Sequence, residues 1–295
     1  MERYDFASGT AVVTGAAGGI GEQLAYALAE RGSALILVDR DAERLELVAK
    51  QARARADARA GGGTRTGGDG DGGGRPVSTY LVDLADDAAA HATAAAIAAE
   101  HPDVSLLINN AGVALGGSFE QVTEEEFDWL MAINLRAVIT FTRALLPTLR
   151  ARPGSHLVNL SSLFGLIAPA GQVAYSTSKF AVRGFTEGLR AELAGVVGVT
   201  VVHPGGIRTG IATNSRVAAA IATAEAEQGK RTFAKLLTYP PEKAAAQILA
   251  AVERRRPRLL IALSARMPDV LARVAPGHYP AILAAFMRRT SSRSR

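Results

Sequence analysis

The sequence of 295 residues contains no cysteine, which excludes disulfide bonds, thiolate metal sites and cysteine nucleophiles. The five histidines show none of the close spacings, such as H-x-x-x-H, that are typical of metal ligands, so we predict no metal site. No uninterrupted apolar run reaches the roughly 18 residues that span a bilayer. No basic and apolar leader precedes the first strand-like run at Ala11. The default expectation is a cytoplasmic protein.

Acidic residues are nearly absent from the C-terminal part of the chain. From Arg254 to Arg295 there are ten arginines and one acid, Asp269, whereas the whole chain has a net charge of only +5. A nucleic-acid-binding protein would be basic more uniformly, and no nucleic-acid partner is predicted. The arginines flank two short amphipathic stretches, Asp269–Val274 and Ala281–Met287. A weak peripheral contact of this basic tail with an anionic membrane is one interpretation, and packing on the body or on a partner subunit is the preferred alternative.

Apolar residues make up 48% of the chain, which is ample for a buried core. The buried strand Thr10–Thr14 is followed by a glycine-rich turn, a helix to about Arg31 and a second strand, Leu35–Asp39. Glycines let the backbone approach a pyrophosphate, and the following helix N-terminus offers free N–H groups. Asp39 lies 18 residues after Gly21, near the spacing of a ribose-binding acid. This order predicts a dinucleotide-binding unit.

Strands and helices continue to alternate as far as the strand Leu259–Leu263. The alternation predicts an α/β fold, a Rossmann-like doubly wound parallel β-sheet with helices on both faces. A C-terminal helical extension of about 264–295 follows. Residues 61–75 form a flexible insertion, because nine glycines within Gly61–Gly74 leave too little apolar surface to offset chain entropy. No linker interrupts the alternation, so one catalytic domain over 1–295 is expected.

Tyr175 and Lys179 are spaced to share one face of a helix. An ammonium group beside a phenol favours the phenolate, so we expect the pKa of Tyr175 to be lowered toward working pH. Tyr175 is then a candidate general acid or base, and Ser162 a candidate donor to a carbonyl oxygen. Tyr-x-x-x-Lys alone is a weak signal that occurs by chance in many helices.

The ordered motifs together resemble the short-chain dehydrogenase/reductase superfamily, in its compact single-domain branch. Thr14-Gly15-x-x-x-Gly19-x-Gly21 is similar to the cofactor turn of that branch, Asn109-Asn110-Ala111-Gly112 to its N-N-A-G motif, and Pro204-Gly205-x-x-x-Thr209 to its P-G-x-x-x-T segment. Ser162, thirteen residues before Tyr175, resembles the family serine. The resemblance covers about residues 8–255 and does not extend to the C-terminal extension.

The resemblance implies a catalytic set, in which Asn134 anchors a water relay and Lys179 also holds the nicotinamide ribose. The implied catalytic residues are Asn134, Ser162, Tyr175 and Lys179. The implied cofactor contacts are Gly15, Gly19, Ile20, Gly21, Asp39, Arg40, Asp83, Leu84, Asn110, Ala111, Gly112, Tyr175, Lys179, Pro204, Gly205, Ile207 and Thr209. His203 and Ser161 are expected to have structural rather than catalytic roles.

Asp39 favours NAD over NADP, because its carboxylate can accept from a ribose 2′-hydroxyl and would repel a 2′-phosphate. Arg40 is the complication, since its guanidinium could reach a phosphate or stack on adenine. The expected reaction is reversible hydride transfer between NAD(P)(H) and an alcohol or ketone. The residues near Ser162 are mostly apolar and favour a lipophilic substrate: Leu163, Phe164, Ile167, Pro169, Gln172 and Val173. A helix over 212–237 resembles a mobile substrate lid.

Two alternatives to an enzyme stay open on the same fold: a nucleotide-binding sensor without turnover, and an interaction protein built around the basic tail. Intact Ser162, Tyr175 and Lys179 argue against the sensor. The family resemblance also implies a homodimer or homotetramer that packs through the helices near 123–150 and 175–193. The physiological direction of the reaction and the identity of the substrate do not follow from the sequence.

Overall fold

The computed structural model describes residues 2–61, 74–282 and 284. The strands are β1 (Thr10–Thr14), β2 (Ala34–Asp39), β3 (Val77–Leu81), β4 (Val104–Asn109), β5 (Leu115–Gly116), β6 (His156–Leu160), β7 (Gly198–Pro204), β8 (Arg216–Val217) and β9 (Arg258–Ile261). The helices are α1 (Gly19–Glu30), α2 (Ala42–Gly61), α3 (Asp87–Glu100), α4 (Glu124–Met131), α5 (Ala137–Ala151), α6 (Val173–Glu192), α7 (Thr223–Leu236), α8 (Pro241–Glu253) and α9 (Leu263–Val274). A π-helical turn, Ala132–Arg136, joins α4 to α5, and a 3-10 turn spans Leu163–Gly165.

Seven strands form one parallel sheet in the order β3-β2-β1-β4-β6-β7-β9. Val12 of β1 is in register with Ile36 of β2 on one side and with Leu107 of β4 on the other. The chain builds outward from β1 to β3, then returns to β4 and builds in the opposite direction. This reversal opens a cleft between the carboxyl ends of β1 and β4, where ligands of such sheets bind. The predicted Rossmann-like doubly wound sheet is confirmed.

Two hydrophobic clusters cover the two faces of the sheet. One cluster joins the sheet to α1, α2 and α8 through residues such as Leu24, Val48 and Ile248. The other joins it to α3 and α5 through residues such as Ile97 and Phe141. Central strands are therefore buried on both sides, which explains why they are continuous apolar runs rather than alternating ones.

A capping box begins α4. Glu126 N–H donates to the Thr123 hydroxyl at 3.2 Å, and Thr123 N–H donates to a Glu126 carboxylate oxygen at 3.1 Å. The run Glu124–Ala151 is the one helix among the described residues that is apolar and long enough to cross a bilayer by length and composition, and half of its apolar window is buried in the fold. Packing therefore accounts for much of its apolar surface.

The predicted helix over 212–237 is wrong in its first half, because α7 begins only at Thr223. The preceding residues form β8, which pairs with β5 through hydrogen bonds from Arg216 N–H to Ala114 O at 3.0 Å and from Ala218 N–H to Gly116 O at 2.8 Å. Tertiary pairing thus overrides the helix propensity of an alanine-rich segment.

The C-terminal extension begins with a helix that is longer than the predicted stretch Asp269–Val274, since α9 starts at Leu263. Most of the second predicted stretch, Ala281–Met287, lies outside the described residues. The same holds for the predicted glycine-rich insertion, of which only Gly61, Gly74 and Arg75 are described.

Candidate functional site

The turn between β1 and α1 has a backbone that only glycines can form. Gly15 and Gly19 have φ of 66° and 59°, in the left-handed region. A Cβ atom at Gly21 would lie 2.0 Å from the Gly15 carbonyl oxygen. The N-cap of α1, Gly18, makes no side-chain capping bond, and Ile20 packs against the core beside it. Free N–H groups at a helix N-terminus beside a bare backbone fit a pyrophosphate.

Asp39 lies at the end of β2, beside this turn, as the sequence predicts. Ala17 N–H donates to its Oδ2 at 2.9 Å, and Arg40 N–H donates to its Oδ1 at 2.7 Å. The Arg40 guanidinium points toward Asp83, with Nη1 3.7 Å from Oδ2. Arg44, which the sequence analysis did not single out, donates from Nε to Ala17 O at 3.2 Å. The acid and the turn are thus held together by direct hydrogen bonds.

The Asn109–Gly112 segment connects the ends of β1 and β4. Asn110 Nδ2 donates to Thr14 O at 2.9 Å and to Gly15 O at 3.0 Å, and Ala111 N–H donates to the Thr14 hydroxyl at 3.1 Å. Asn109 lies deeper and donates to Asn159 of β6 at 2.8 Å. The segment therefore fixes the glycine turn to the central sheet. Leu84, also a predicted cofactor contact, has its side chain in the core.

Ser162, Tyr175 and Lys179 come together where β6 and α6 meet. Ser162 caps the 3-10 turn, with Phe164 N–H donating to its hydroxyl oxygen at 3.1 Å, and its hydroxyl is near enough to Tyr175 to lower the pKa of the phenol. The Lys179 ammonium lies 5.8 Å from the centroid of the Tyr175 ring and donates to Leu160 O at 3.2 Å. All three predicted residues therefore share one site at the carboxyl end of the sheet.

Burial controls the charges of the tyrosine and the lysine. It raises the pKa of Tyr175 above its ordinary value, and the nearby Ser162 hydroxyl opposes that rise. Burial also lowers the pKa of Lys179 from 10.5 to about 8. The sequence predicts a lowered pKa for Tyr175, and for the protein alone this prediction is wrong. Desolvation of the phenolate raises the pKa by more than Ser162 lowers it.

Asn134 is fully buried within the π-helical turn between α4 and α5. Its side chain pairs with the Val113 backbone, accepting from N–H at 2.8 Å and donating to O at 3.0 Å. It also donates to the Ser178 hydroxyl at 3.1 Å. A Cβ at Gly112 would lie 3.1 Å from Lys179 Nζ and 3.3 Å from Asn134 Oδ1. The lysine and the asparagine therefore both approach Gly112 from one side, and the missing side chain leaves room for both of them.

The turn after β7 faces the glycine turn across the cleft. A Cβ at Gly19 would lie 3.0 Å from the Thr209 methyl group, so Thr209 closes one side of the cleft. Ile207 is buried and pairs with Tyr239 in an isolated bridge. Pro204 ends β7, and Gly205 lies so close to α9 that a Cβ there would be 2.2 Å from Ser264 Oγ. The start of the C-terminal extension therefore supports the turn, which the sequence analysis did not foresee.

Tyr175 belongs to a small apolar cluster. The Phe164 ring packs edge-on against the Tyr175 ring, with centroids 5.9 Å apart. Ile211 and Phe233, from the segment after β7 and from α7, pack against the same cluster. Of the other residues expected beside Ser162, Ile167 is buried and Val173 is exposed. The site therefore offers an apolar environment beside a small number of polar groups.

His203 is a packed residue, as expected, but it lies directly behind the site. Its Nδ1 is 3.0 Å from the Ser162 carbonyl oxygen, and burial lowers its pKa to about 4. The imidazole is neutral near pH 7, so Nδ1 carries the proton that is donated to Ser162. Ser161 has a similar structural role, since its hydroxyl donates to Lys179 O at 2.7 Å. Within the described part of the chain, no group of three acidic or histidine side chains could hold a metal ion.

A model of the short chain dehydrogenase family matches residues 9–63 and 69–220. SadH of Mycobacterium tuberculosis, which carries the name of an oxidoreductase, is 37% identical over 288 residues, or 95% of each chain.

Solved structures give the same assignment. A short chain dehydrogenase/reductase from Burkholderia phymatum in complex with NAD has a TM-score of 0.76 at 27% identity, covering 95% of this chain and 96% of the other. A short-chain dehydrogenase from Sphingobium yanoikuyae in complex with NADPH has a TM-score of 0.70 at 26% identity, covering 91% and 94%. This chain belongs to the short chain dehydrogenase family and is an NAD(P)-dependent oxidoreductase.

Proposed function

We propose that the protein catalyses reversible hydride transfer between NAD(H) and a lipophilic alcohol or ketone, with Asn134, Ser162, Tyr175 and Lys179 as its active site. The observation that carries this proposal is that Ser162 caps the turn whose Phe164 packs on the Tyr175 ring, with the buried Lys179 ammonium 5.8 Å from the centroid of that ring. The nicotinamide supplies the hydride acceptor or donor. The protein supplies the remaining steps.

In the oxidation direction, the alcohol oxygen is held between the hydroxyl groups of Ser162 and Tyr175. Tyr175 accepts the hydroxyl proton while the carbon–hydrogen bond breaks and the carbonyl double bond forms. Ser162 donates to the same oxygen and stabilises the charge that develops there. The Ser162 hydroxyl oxygen already accepts from Phe164 N–H. This supports the role, because the hydroxyl proton of Ser162 then points away from Phe164 and can be donated to the substrate oxygen.

We propose that Lys179 and Asn134 return the proton to solvent. Lys179 Nζ and Asn134 Oδ1 both face the side of Gly112 on which a Cβ would project, and both side chains are buried. The Asn134 amide is already bonded to Val113 and Ser178, which holds it in position. A water between the lysine and this segment would complete the route. We also assign to Lys179 the binding of the nicotinamide ribose, which would lie on this side of the cleft.

For the cofactor we propose NAD rather than NADP. Asp39 presents a carboxylate at the edge of the glycine turn, where the adenosine ribose would lie. The guanidinium groups of Arg40 and Arg44 are each directed to an acid, Asp83 and Glu22 respectively. A 2′-phosphate would meet the Asp39 carboxylate and would have to displace one of these pairs. We assign the remaining predicted contacts, from Asp83 to Thr209, to the same cofactor, with Leu84 contributing its backbone because its side chain lies in the core.

The apolar cluster around Tyr175 supports a lipophilic substrate. The Phe164 ring packs on the Tyr175 ring, and Phe233 of α7 packs against the cluster that contains Tyr175. We propose that α7 forms the substrate lid, since it has no buried residue and is joined to this cluster through Phe233. The polar groups that would bind a sugar or a carboxylate are scarce in this cluster.

We infer one cytoplasmic catalytic domain that assembles as a homodimer or homotetramer. A groove between α5 and α6, lined by Ile139, Leu146, Phe185 and Leu189 among others, offers a half-exposed apolar surface for a second copy. Family members typically assemble, which agrees with this choice of surface. Sedimentation equilibrium should return the mass of two or four chains, and a monomer would contradict the assignment.

A substrate panel tests the proposed reaction. The purified protein is offered lipophilic secondary alcohols with NAD, and the matching ketones with NADH, while absorbance of the reduced cofactor is followed. Turnover of at least one pair in both directions is expected. Tight cofactor binding without turnover on a broad panel would instead favour a nucleotide-binding sensor, and partner capture unaffected by Tyr175→Phe would favour an interaction protein.

A further inference from the structure

The helix α9 exposes a stripe of large apolar side chains. Leu263, Met267, Val270 and Val274 are spaced by four, three and four residues, so they share one face of the helix. Their side chains are between 57% and 78% exposed. Ala265 and Asp269 lie on the opposite face and are buried against the body. The α9 face, as we call the four exposed residues, is therefore presented to solvent by the way the helix packs.

The charges around the α9 face have one sign. Asp269 is the single acid of the helix, and it is buried and bonded to Arg258 through Nη1 at 3.1 Å and Nη2 at 2.6 Å, and to Arg273 through Nε at 3.2 Å. Arg266 and Arg273 are exposed. The sequence that follows adds four arginines and no acid. The exposed surface of α9 thus offers apolar groups and guanidinium groups.

The helix that carries the α9 face packs against the two segments that flank Ser162, the turn after β7 and the loop after β6. Ser264 Oγ, one residue from Leu263, accepts from Gly206 N–H at 3.2 Å in the turn after β7. The exposed Leu236 at the end of α7 meets the same turn, since a Cβ at Gly206 would lie 2.1 Å from Leu236 O. Beyond α9, the Tyr279 hydroxyl accepts from Ala168 N–H at 3.3 Å in the loop after Ser162.

We propose that the α9 face docks on an anionic lipid bilayer and that the active-site entrance opens toward that membrane. An amphipathic helix with an apolar stripe and flanking arginines binds the interface of anionic membranes, where apolar burial and electrostatic attraction act together. A second copy of this chain on the same face would bring the exposed arginines of both copies together. The lipid surface complements both features of the face. Delivery of a lipophilic substrate by this route rests on the proposed function, whereas docking itself does not.

Vesicle flotation with the full-length chain tests the docking. The protein is mixed with vesicles of phosphatidylcholine alone or of phosphatidylcholine with phosphatidylglycerol, without cofactor or substrate. We expect it to float with the anionic vesicles only, and to be released by high salt. The double variant Met267→Glu/Val270→Glu should reduce the bound fraction by more than about tenfold, because each apolar side chain contributes to insertion.

Two further variants make the result specific. Leu47→Glu changes an equally exposed leucine on α2, which packs at the β3 edge of the sheet, opposite the β9 edge. It should float like the wild type. Tyr175→Phe should also float normally while losing turnover, so a failure of the proposed function is distinguishable from a failure of docking. Thermal unfolding checks that each variant is folded.

Two results would overturn the proposal. The first is no flotation with either vesicle, or flotation that the double variant does not reduce. The second is a pair of results: the wild type does not bind vesicles, and the double variant differs from it in solution mass, measured by light scattering. That second result would make the α9 face an interface between copies of the chain.

Discussion

Tyr175 is nearly fully buried, and this decides its charge at neutral pH. Because burial raises its pKa, the phenol stays protonated and is ready to donate to a ketone. We predict that kcat/KM for alcohol oxidation rises between about pH 7 and about pH 9, as the phenolate becomes more populated, while ketone reduction is fastest at the lower end. Initial rates in both directions across this range test the prediction. An oxidation rate that does not depend on pH would contradict it.

Asp39 carries the predicted preference for NAD. Asp39→Ala removes the carboxylate that would repel a 2′-phosphate, so the ratio of kcat/KM for NAD to that for NADP should fall by about 10- to 100-fold. Glu43→Ala, which removes an exposed negative charge from the first turn of α2, is the matched control and should leave the ratio unchanged. A wild-type protein that prefers NADP would contradict the assignment of NAD as the cofactor.

Sequence motifs locate Ser162, Tyr175, Lys179 and Asn134, and the structure brings these four residues to one edge of the sheet. The sequence could not predict the direction of the Tyr175 pKa shift, because desolvation depends on the side chains that cover the ring. It also could not predict the bond of His203 to the Ser162 carbonyl, since 41 residues separate the two in the chain. Helical spacing describes neighbours along one element and carries no information about burial.

At the scale of elements, the glycine turn contains one position that has no room for a side chain and one position that has room for it. A Cβ at Gly21 would lie 2.0 Å from Gly15 O and 2.7 Å from Asn110 Nδ2, whereas a Cβ at Gly18 would meet nothing within 4 Å. We predict that Gly21→Ala raises the Kd for NADH by more than about tenfold, because the turn must shift. Isothermal titration calorimetry measures this.

Gly18→Ala is the control for that change, since its backbone is extended and its surroundings are open. Its Kd should stay within about threefold of the wild type, the ordinary range for a surface substitution. Equal losses in the two variants would show that the tight packing between Gly21 and Gly15 is not what positions the cofactor.

Local signals predicted most elements well, and the failures have a common cause. The capping box at Thr123 and the buried strands depend on adjacent residues, which the sequence displays. The π-helical turn around Asn134 and the pairing of β8 with β5 depend on contacts across the fold. In both places a helical pattern in the sequence continues through a segment whose backbone is set by its tertiary neighbours.

At the scale of the whole molecule, two buried histidines link stability to pH. Burial, with a smaller contribution from Arg255, lowers the pKa of His156 to about 3, and burial lowers that of His203 to about 4, from an ordinary 6.5. The unfolded chain therefore takes up protons at higher pH than the folded one. The stability that these groups contribute is present above about pH 6.5 and is lost as the pH falls toward 4.

We therefore predict that the free energy of unfolding falls between about pH 6.5 and about pH 4, by an amount on the order of 3 kcal/mol for each histidine. Urea unfolding at a series of pH values measures it. His203→Gln should make the dependence shallower, whereas His91→Gln, at an exposed position on α3, should not. A pH dependence that is unchanged in His203→Gln would contradict the assignment.

The overall fold could be predicted because a sheet covered on both faces needs continuous apolar strands, and these alternate with helices along the whole chain. The position of the C-terminal extension could not, since nothing in residues 263–282 indicates contact with the turn after β7. Ser264 and Tyr279 make those contacts with polar atoms that any surface helix could carry. The tail was a separate feature in the sequence, whereas in the structure its described part contacts the loop after β6 and the turn after β7.

The central claim is that Tyr175 transfers the proton while the hydride moves to or from the nicotinamide. The most direct measurement is kcat/KM of wild type and Tyr175→Phe with the best alcohol of the substrate panel, alongside the Kd of each for NADH. The account predicts a loss of about 10³-fold in kcat/KM with an unchanged Kd. A variant that keeps kcat/KM within about tenfold of the wild type would contradict it, since one missing hydroxyl would then have removed no acid or base.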